Sequence, residues 1–259
     1  MKISMVMITR NEEERLSATL DSCAGIADEL VVVDSLSTDR TTAIAKEYGA
    51  RVYSRPFNGF AAQKNFALDQ AQYPWVLSLD ADEHLSPELR EELQALKHSG
   101  PGDISGFYLP RKTFYLGRWI HHSGWYPQAK LRLFRNQGAR WQGRIHERLI
   151  LQGKKQQLTG ALLHYTYRDI ADHARRINHY SSLQAQDGVE KGKSWLWLRF
   201  VLQPPMVFFR HYLLKQGVLD GFPGLVIAVL SAYGVALRHA KAIAMRRGLC
   251  GRNTQTTEL

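Results

Sequence analysis

Along the first hundred residues the apolar positions follow two alternating rhythms. Ile3–Thr9, Glu29–Asp34, Ala50–Ser54 and Trp75–Asp80 are short, nearly continuous runs of Val, Ile, Leu and Met, the composition of strands covered on both faces. Between them lie segments with helix signals. Leu16 and Leu20 follow Asn11-x-x-Glu14, Ser37-Thr-Asp39-Arg-Thr41 opens a segment that stops at Gly49, and a third segment holds Gln63-Lys64-Asn65. Ser86-Pro-Glu starts another helix after the fourth strand. This β-α-β-α-β-α-β series predicts an α/β fold, a half-Rossmann, mostly parallel sheet with helices on both faces. With strand order 3-2-1-4, a crevice opens at the carboxyl ends of strands one and four, bordered by Thr9, Asp34 and the strand end Asp80-Ala-Asp82-Glu83.

From Gly106 the pattern loosens. Gly106–Arg111 and Lys130–Arg135 read as strands, separated by the aromatic and histidine-rich Trp119–Pro127 and followed by Trp141–Leu149. Aromatic faces beside hydrogen-bonding groups suit a sugar, although each Trp taken singly is better read as core. Asp169–Gly188 predicts a polar helix. Trp195–Lys215 then mixes large apolar residues with cations and is broken by Pro204-Pro205, as in an interfacial helix pair. Gly221–Leu237 is uncharged for 17 residues but holds Pro223 and three glycines, which favours a shallow or re-entrant segment over a span. A buried helical hairpin, or a homo-oligomer through these helices, is the competing reading.

Charge sharpens this division. The net charge is +10, yet residues 1–100 carry 10 Lys and Arg against 16 Asp and Glu, while residues 191–247 carry 9 against 1. A basic C-terminal part suits an anionic partner, and lipid-like apolar runs between the cations favour an anionic membrane surface over nucleic acid. Cys23 and Cys250 have neither disulfide nor zinc spacing. The apolar run after Met1-Lys2 is too short for a signal-peptide core, so the N-terminus is expected in the cytoplasm. The sequence lacks both G-x-G-x-x-G after the first strand and a phosphate-binding G-x-x-x-x-G-K-[ST], which disfavours a dinucleotide cofactor or P-loop chemistry. Asp80 and Asp82, two apart past a strand end, suit a hard divalent cation, Mg²⁺ or Mn²⁺. Alone they would read equally as a solvated turn, and Asp34 as a turn residue.

Val6-Met-Ile-Thr-Arg-Asn-Glu12, Val31-Val-Val-Asp34-Ser-x-Ser-x-Asp39-x-Thr41, Gln63-Lys64-Asn65 and Leu79-Asp80-Ala-Asp82-Glu83 resemble the family 2, GT-A-fold inverting glycosyltransferases over residues 1 to about 150. Gly124-Trp-Tyr-Pro-x-x-Lys-x-Arg132-Leu-Phe, Gly143-Arg-Ile-His146-Glu147 and Asp220-Gly221 narrow the likeness to the bacterial lipopolysaccharide core β-glucosyltransferase group. The resemblance implies a GT-A catalytic domain over residues 1–165, with a nucleotide-sugar half at 1–100 and an acceptor half at 101–165. A helical, membrane-associating region at 166–250 and a flexible tail at 251–259 complete the expected organisation. It implies that Thr9, Asn11, Glu12 and Asp34 border the base and ribose, with Lys64 near the base or the diphosphate; Arg132 and Lys130 are candidates to approach the diphosphate, unless they are simply solvated strand residues. Asp82 and Asp80 would hold a divalent metal, and Glu147 would be the general base, assisted by His146. Many members carry the base as an Asp in a Glu-Asp pair, where this chain has His146-Glu147; a salt bridge from Glu147 to Arg144 or Arg148 is the plain alternative. The implied reaction moves a hexose, glucose with UDP favoured over ADP, to an inner-core sugar of lipopolysaccharide at the cytoplasmic face of the inner membrane or in the cytoplasm. The alternatives are a glycosyltransferase acting on another lipid-linked or cell-envelope glycan and, less favoured, a nucleotidyltransferase or a basic nucleic-acid-binding protein.

Overall fold

The computed structural model describes residues 1–143, 147–192 and 195–249. Its elements run β1 (Ile3–Thr9), α1 (Leu16–Ser22), β2 (Glu29–Asp34), α2 (Thr41–Glu47), β3 (Arg51–Ser54), α3 (Phe60–Gln70), β4 (Trp75–Ser78), β5 (Glu83–Leu85) and α4 (Pro87–Ser99). They continue with β6 (Ile104–Tyr115), β7 (Arg118–Trp119), β8 (Gln128–Arg135), β9 (Arg140–Gln142), β10 (Arg148–Ile150), β11 (Lys154–Gln157), β12 (Leu162–His164), α5 (Ile170–Glu190), α6 (Leu196–Phe209) and α7 (Gly221–Arg246). The chain forms two compact units. One comprises Met1–Lys112 with Gln128–His164, the other Thr113–Pro127 with Tyr165 onward. The Thr113–Pro127 loop, expected on the acceptor side of the catalytic domain, thus belongs with the C-terminal helices. The tail 251–259 and His146 lie outside the described residues.

The first unit is built on a sheet of order β3-β2-β1-β4-β8-β6-β12-β5. β1 runs parallel to β2 and β4, and β2 to β3, so the anticipated 3-2-1-4 order is present. β8 then enters antiparallel to β4 and β6. Successive residues of a strand face opposite sides, which divides the core in two. Ile3, Met5, Met7, Val32, Trp75 and Leu77 join Leu16, Leu20, Ile44 and Leu89 of the helices on one face. Val6, Val31, Val33 and Val76 meet Ala67 and Leu68 of α3 on the other. Helix α4 begins as its sequence predicts, with Ser86 Oγ accepting from the Leu89 N–H at 3.2 Å and Pro87 in the first turn. Helix α1 does not. The expected Asn11 cap is absent: Asn11 takes φ 53°, and its Oδ1 accepts from the Thr38 N–H at 2.9 Å. The first helical turn starts only after Arg15.

In the second unit, α6 and α7 pack on one another and α7 packs on α5. The predicted break at Pro204-Pro205 is not realised. Helix α6 runs through both prolines, whose missing N–H groups cost two ladder bonds while packing on α7 is retained, and the chain turns later, in a π-helical segment at Arg210–Leu214. Asp220, 1% exposed, ties the loop to this turn. Its carboxylate accepts from the backbone N–H groups of His121 and His122, at 3.1 and 3.0 Å, and from Ser123 Oγ at 3.2 Å. Trp125 packs against Tyr115 and Tyr167, and in the first unit Trp141 packs against Phe134, so both serve the core.

His173, 3% exposed, stacks on Tyr167 and places Nδ1 2.8 Å from the Tyr115 hydroxyl. Burial, opposed by Asp172, pushes its pKa down to about 4. The unfolded chain, with an ordinary His pKa near ~6.5, takes up the proton first as pH falls, so stability is lost between about 6.5 and about 4 and is full above that range. We expect about 3 kcal/mol of unfolding free energy to disappear across that window, and His173→Phe to flatten this part of the pH dependence in urea titrations. An identical slope in the variant would contradict the assignment.

Candidate active site

The carboxyl ends of β1 and β2 meet in register, Thr9 beside Asp34. Thr9 Oγ1 donates to Asp34 Oδ1 at 3.1 Å, and the Ser37 N–H donates to Asp34 Oδ2 at 2.8 Å. Both Thr9 and Asp34 are buried. The Asp34 carboxylate therefore holds the following loop, as a turn residue does, and the exposed rim is formed by the residues it supports. There the Asn11 N–H donates to Ser37 Oγ at 2.9 Å, the Glu12 N–H to Thr41 Oγ1 at 2.8 Å, and the Glu13 N–H to Asp39 Oδ2 at 3.1 Å. Two loops are laced into one edge.

Beyond β4 the charged residues converge. Lys64, on α3 and only 6% exposed, places Nζ 2.8 Å from Glu147 Oε1 and 3.3 Å from Asp80 Oδ1, over the ring of Trp141. Arg132, on β8 and also buried, contacts Asp80 Oδ2 and lies 2.6 Å from Glu83 Oε1. Arg111 of β6 reaches the same Glu83 oxygen at 3.5 Å. Three carboxylates face three cations. Burial alone would raise the Asp80 carboxyl, but Arg132 and Lys64 overcome it and hold the group well below the carboxylate range. In return Asp80 and Glu83 push the Arg132 guanidinium up against its own burial. Lys130, two residues along β8, has its ammonium pushed down by burial and then by Arg111 and Arg132. Glu147 is held by Lys64 rather than by its neighbour Arg148; His146 and Arg144 lie outside the described residues.

Asp82 belongs to a different set. Its Oδ2 is 3.4 Å from His164 Nε2 and 3.9 Å from Arg15 Nη1. Burial would raise this carboxyl too, and the contact with His164 lowers it overall, against the opposing charge of Asp80. The sequence alone does not single out His164. It comes alongside because β12 pairs antiparallel with β5, His164 opposite Glu83. Among the described residues no group of three or more His, Cys, Asp and Glu side chains forms a ready-made metal cage. The donors still fit a divalent ion of the Mg²⁺ or Mn²⁺ kind, which takes one or two carboxylates and completes its shell with phosphate oxygens and water. Asp82, with an imidazole nitrogen beside it, and Asp80, whose side chain is 34% exposed, are such donors.

The family model described as glycosyl transferase family 2 matches residues 4–159. A Rickettsia typhi protein described as an uncharacterized glycosyltransferase is 34% identical over 93% of this chain and 86% of its own. The lipopolysaccharide core biosynthesis glycosyltransferase LpsC of Rhizobium meliloti is 32% identical over 92% of this chain and 93% of its own. Among solved structures, Staphylococcus aureus TarS residues 1–349 aligns with 96% of this chain and 92% of its own, at 16% identity and a TM-score of 0.43. The chain belongs to glycosyltransferase family 2. It is an enzyme of group transfer, and the nucleotidyltransferase and nucleic-acid-binding readings fall away.

Glu83 is fully buried and depends on Arg132 for its closest neutralising contact. Arg132→Met should therefore destabilise the fold by about 3 kcal/mol, the usual cost of removing one partner of a buried ion pair, with Arg111 at 3.5 Å left as the remaining cation. Arg132→Met with Glu83→Gln should cost less than the two single substitutions summed. Urea titrations of the four proteins measure the cycle, and strict additivity would show that the pair does not act as a unit.

Proposed function

We propose that this chain is an inverting hexosyltransferase that moves glucose from UDP-glucose to an inner-core heptose of lipopolysaccharide at the cytoplasmic face of the inner membrane. The observation that carries the reading is Lys64 bridging Glu147 to Asp80, which sets a carboxylate suited to proton removal beside one suited to the donor's diphosphate. The lipopolysaccharide acceptor is supported by the name of the Rhizobium meliloti relative.

In this reading Asn11 and Glu12 meet the base and ribose, while Thr9 and Asp34 support that rim from beneath. Lys64, Arg132 and Lys130 offer positive charge to the diphosphate. Asp82 and Asp80, with His164, hold a divalent Mg²⁺ or Mn²⁺, which when bound neutralises charge developing on the leaving group. As the acceptor oxygen bonds to the anomeric carbon, the bond to the diphosphate oxygen breaks and its electron pair leaves with the nucleotide. Glu147 takes the acceptor hydroxyl proton. Lys64 positions the Glu147 carboxylate before the acceptor arrives, its Nζ 2.8 Å from Oε1.

Glu147→Gln should lower kcat by a factor of about 100 or more while UDP-glucose with Mn²⁺ still raises the thermal unfolding midpoint. Asp82→Ala should lose both transfer and that protection, since a ligand held only by the folded state stabilises it. Full activity in either variant would remove that residue from the reaction, and protection by ADP-glucose but not UDP-glucose would overturn the donor assignment.

A further inference from the structure

The second unit carries a broad apolar face with no partner among the described residues. On α6, Trp197, Val201, Met206 and Phe209 are each more than half exposed. The turn adds Leu214, 80% exposed, and Leu219, and the first half of α7 continues with Phe222, Val229 and Tyr233. Soluble proteins rarely expose so large a contiguous apolar surface without using it. Charge says for what. Residues 195–249 contain seven Lys and Arg and a single carboxylate, Asp220, which is buried in its bonds to the loop. The surface of residues 195–249 therefore exposes cations among its apolar residues and no carboxylate. Arg210, Lys215, Arg246 and Arg247 are exposed, and Arg247 lies 5.1 Å from the ring centre of Trp197. Such an aromatic and guanidinium pair is suited to the headgroup layer, with its ring toward the acyl chains and its charge toward phosphate.

We infer that the α6–α7 face is a monotopic docking surface for an anionic phospholipid bilayer, entering the headgroup and upper acyl region without crossing it. The inference rests on the membrane setting proposed above and adds the face and the depth. Depth follows from α7 itself. Gly217–Arg246 is long and apolar enough to span, with a mean hydropathy of 1.7 over its most apolar stretch. Its second half is nevertheless bonded to a polar helix: Lys241 Nζ donates to the Asn178 carbonyl and Oδ1 at 2.7 Å and to Ser181 and Ser182 Oγ at 2.8 Å. A span would carry the polar α5, packed along α7, toward hydrocarbon, where unsolvated polar groups are costly. Lying flat leaves every one of these bonds in place. Because Asp220 clasps residues 121–123 onto the same hairpin, docking also brings the Thr113–Pro127 loop to the lipid surface.

The test is flotation of the full chain with vesicles of phosphatidylethanolamine and phosphatidylglycerol, against vesicles of phosphatidylcholine alone. The wild type should float with the anionic vesicles at least tenfold more strongly, and M206E/L214E/F222E should lose at least tenfold of that binding with an unchanged unfolding midpoint. Tryptophan emission should be quenched by lipids brominated near the headgroup and not by lipids brominated at the chain ends. Equal flotation of the triple variant, quenching at the bilayer centre, or a stable dimer in which these residues are shielded and vesicles are ignored would each overturn the inference. Transfer to a delipidated core oligosaccharide is measured alongside. Its loss in the wild type would count against the proposed reaction, while vesicle binding alone decides the docking surface.

Discussion

Lys64 and Arg132 are both buried, and each is the common neighbour of two carboxylates. A cation or carboxylate buried there without an opposite charge would carry a large desolvation cost. Each exists because the others do, and the set draws together α3, the end of β4, the start of β5, β8 and the residue before β10. The sheet order makes this possible: β8 lies beside β4, so Arg132 reaches across to the turn that follows Ser78. Asp80 is the exposed edge of the set, and Arg132 and Lys64 hold its carboxyl toward the charged form. In the proposed reaction a donor diphosphate approaching this edge would meet cations already positioned, the preorganisation that charge stabilisation in transfer chemistry requires.

The division of labour between Asp80 and Asp82 follows from the same geometry. Asp80 is committed to Arg132 and Lys64, whereas Asp82 faces Arg15 and His164. Two carboxylates two residues apart thus sit in different electrostatic surroundings. The first links the donor side to Glu147 through one ammonium, and the second supplies oxygen beside an imidazole. That is a more specific arrangement than a pair of acids at a turn.

The parallel half of the fold was legible because burial on both faces leaves an unbroken apolar run, as in Val31–Val33, and because Gly49 and Ser86-Pro87 punctuate the helices. Asp80, Asp82 and Lys64 were legible for a related reason, since polar residues stand out at the ends of such runs. His164 and Arg111 were not, because their place depends on antiparallel pairings of β12 with β5 and of β6 with β8 that no local pattern encodes. Asn11 and Asp34 were found but not what their side chains do: each spends its oxygens on a neighbouring loop, a choice set by the meeting of β1 and β2. Pro204-Pro205 misled in the opposite sense, for packing of α6 on α7 outweighs two missing donors. The grouping of Thr113–Pro127 with the C-terminal helices rests on the buried bonds to Asp220 and on the packing of Tyr115, Ile120 and Trp125 with Tyr167, His173 and Ile227, contacts between distant stretches that no local pattern encodes.

The proposed mechanism centres on Glu147 as a single base acting on the acceptor, with the donor's diphosphate held apart from it by the Asp80 and Asp82 side. Direct displacement of that kind inverts the anomeric centre. The most direct measurement is the proton NMR coupling of the anomeric hydrogen in the first product formed from an α-linked nucleotide sugar. A β-linked product is the result this mechanism predicts, and an α-linked product would contradict it.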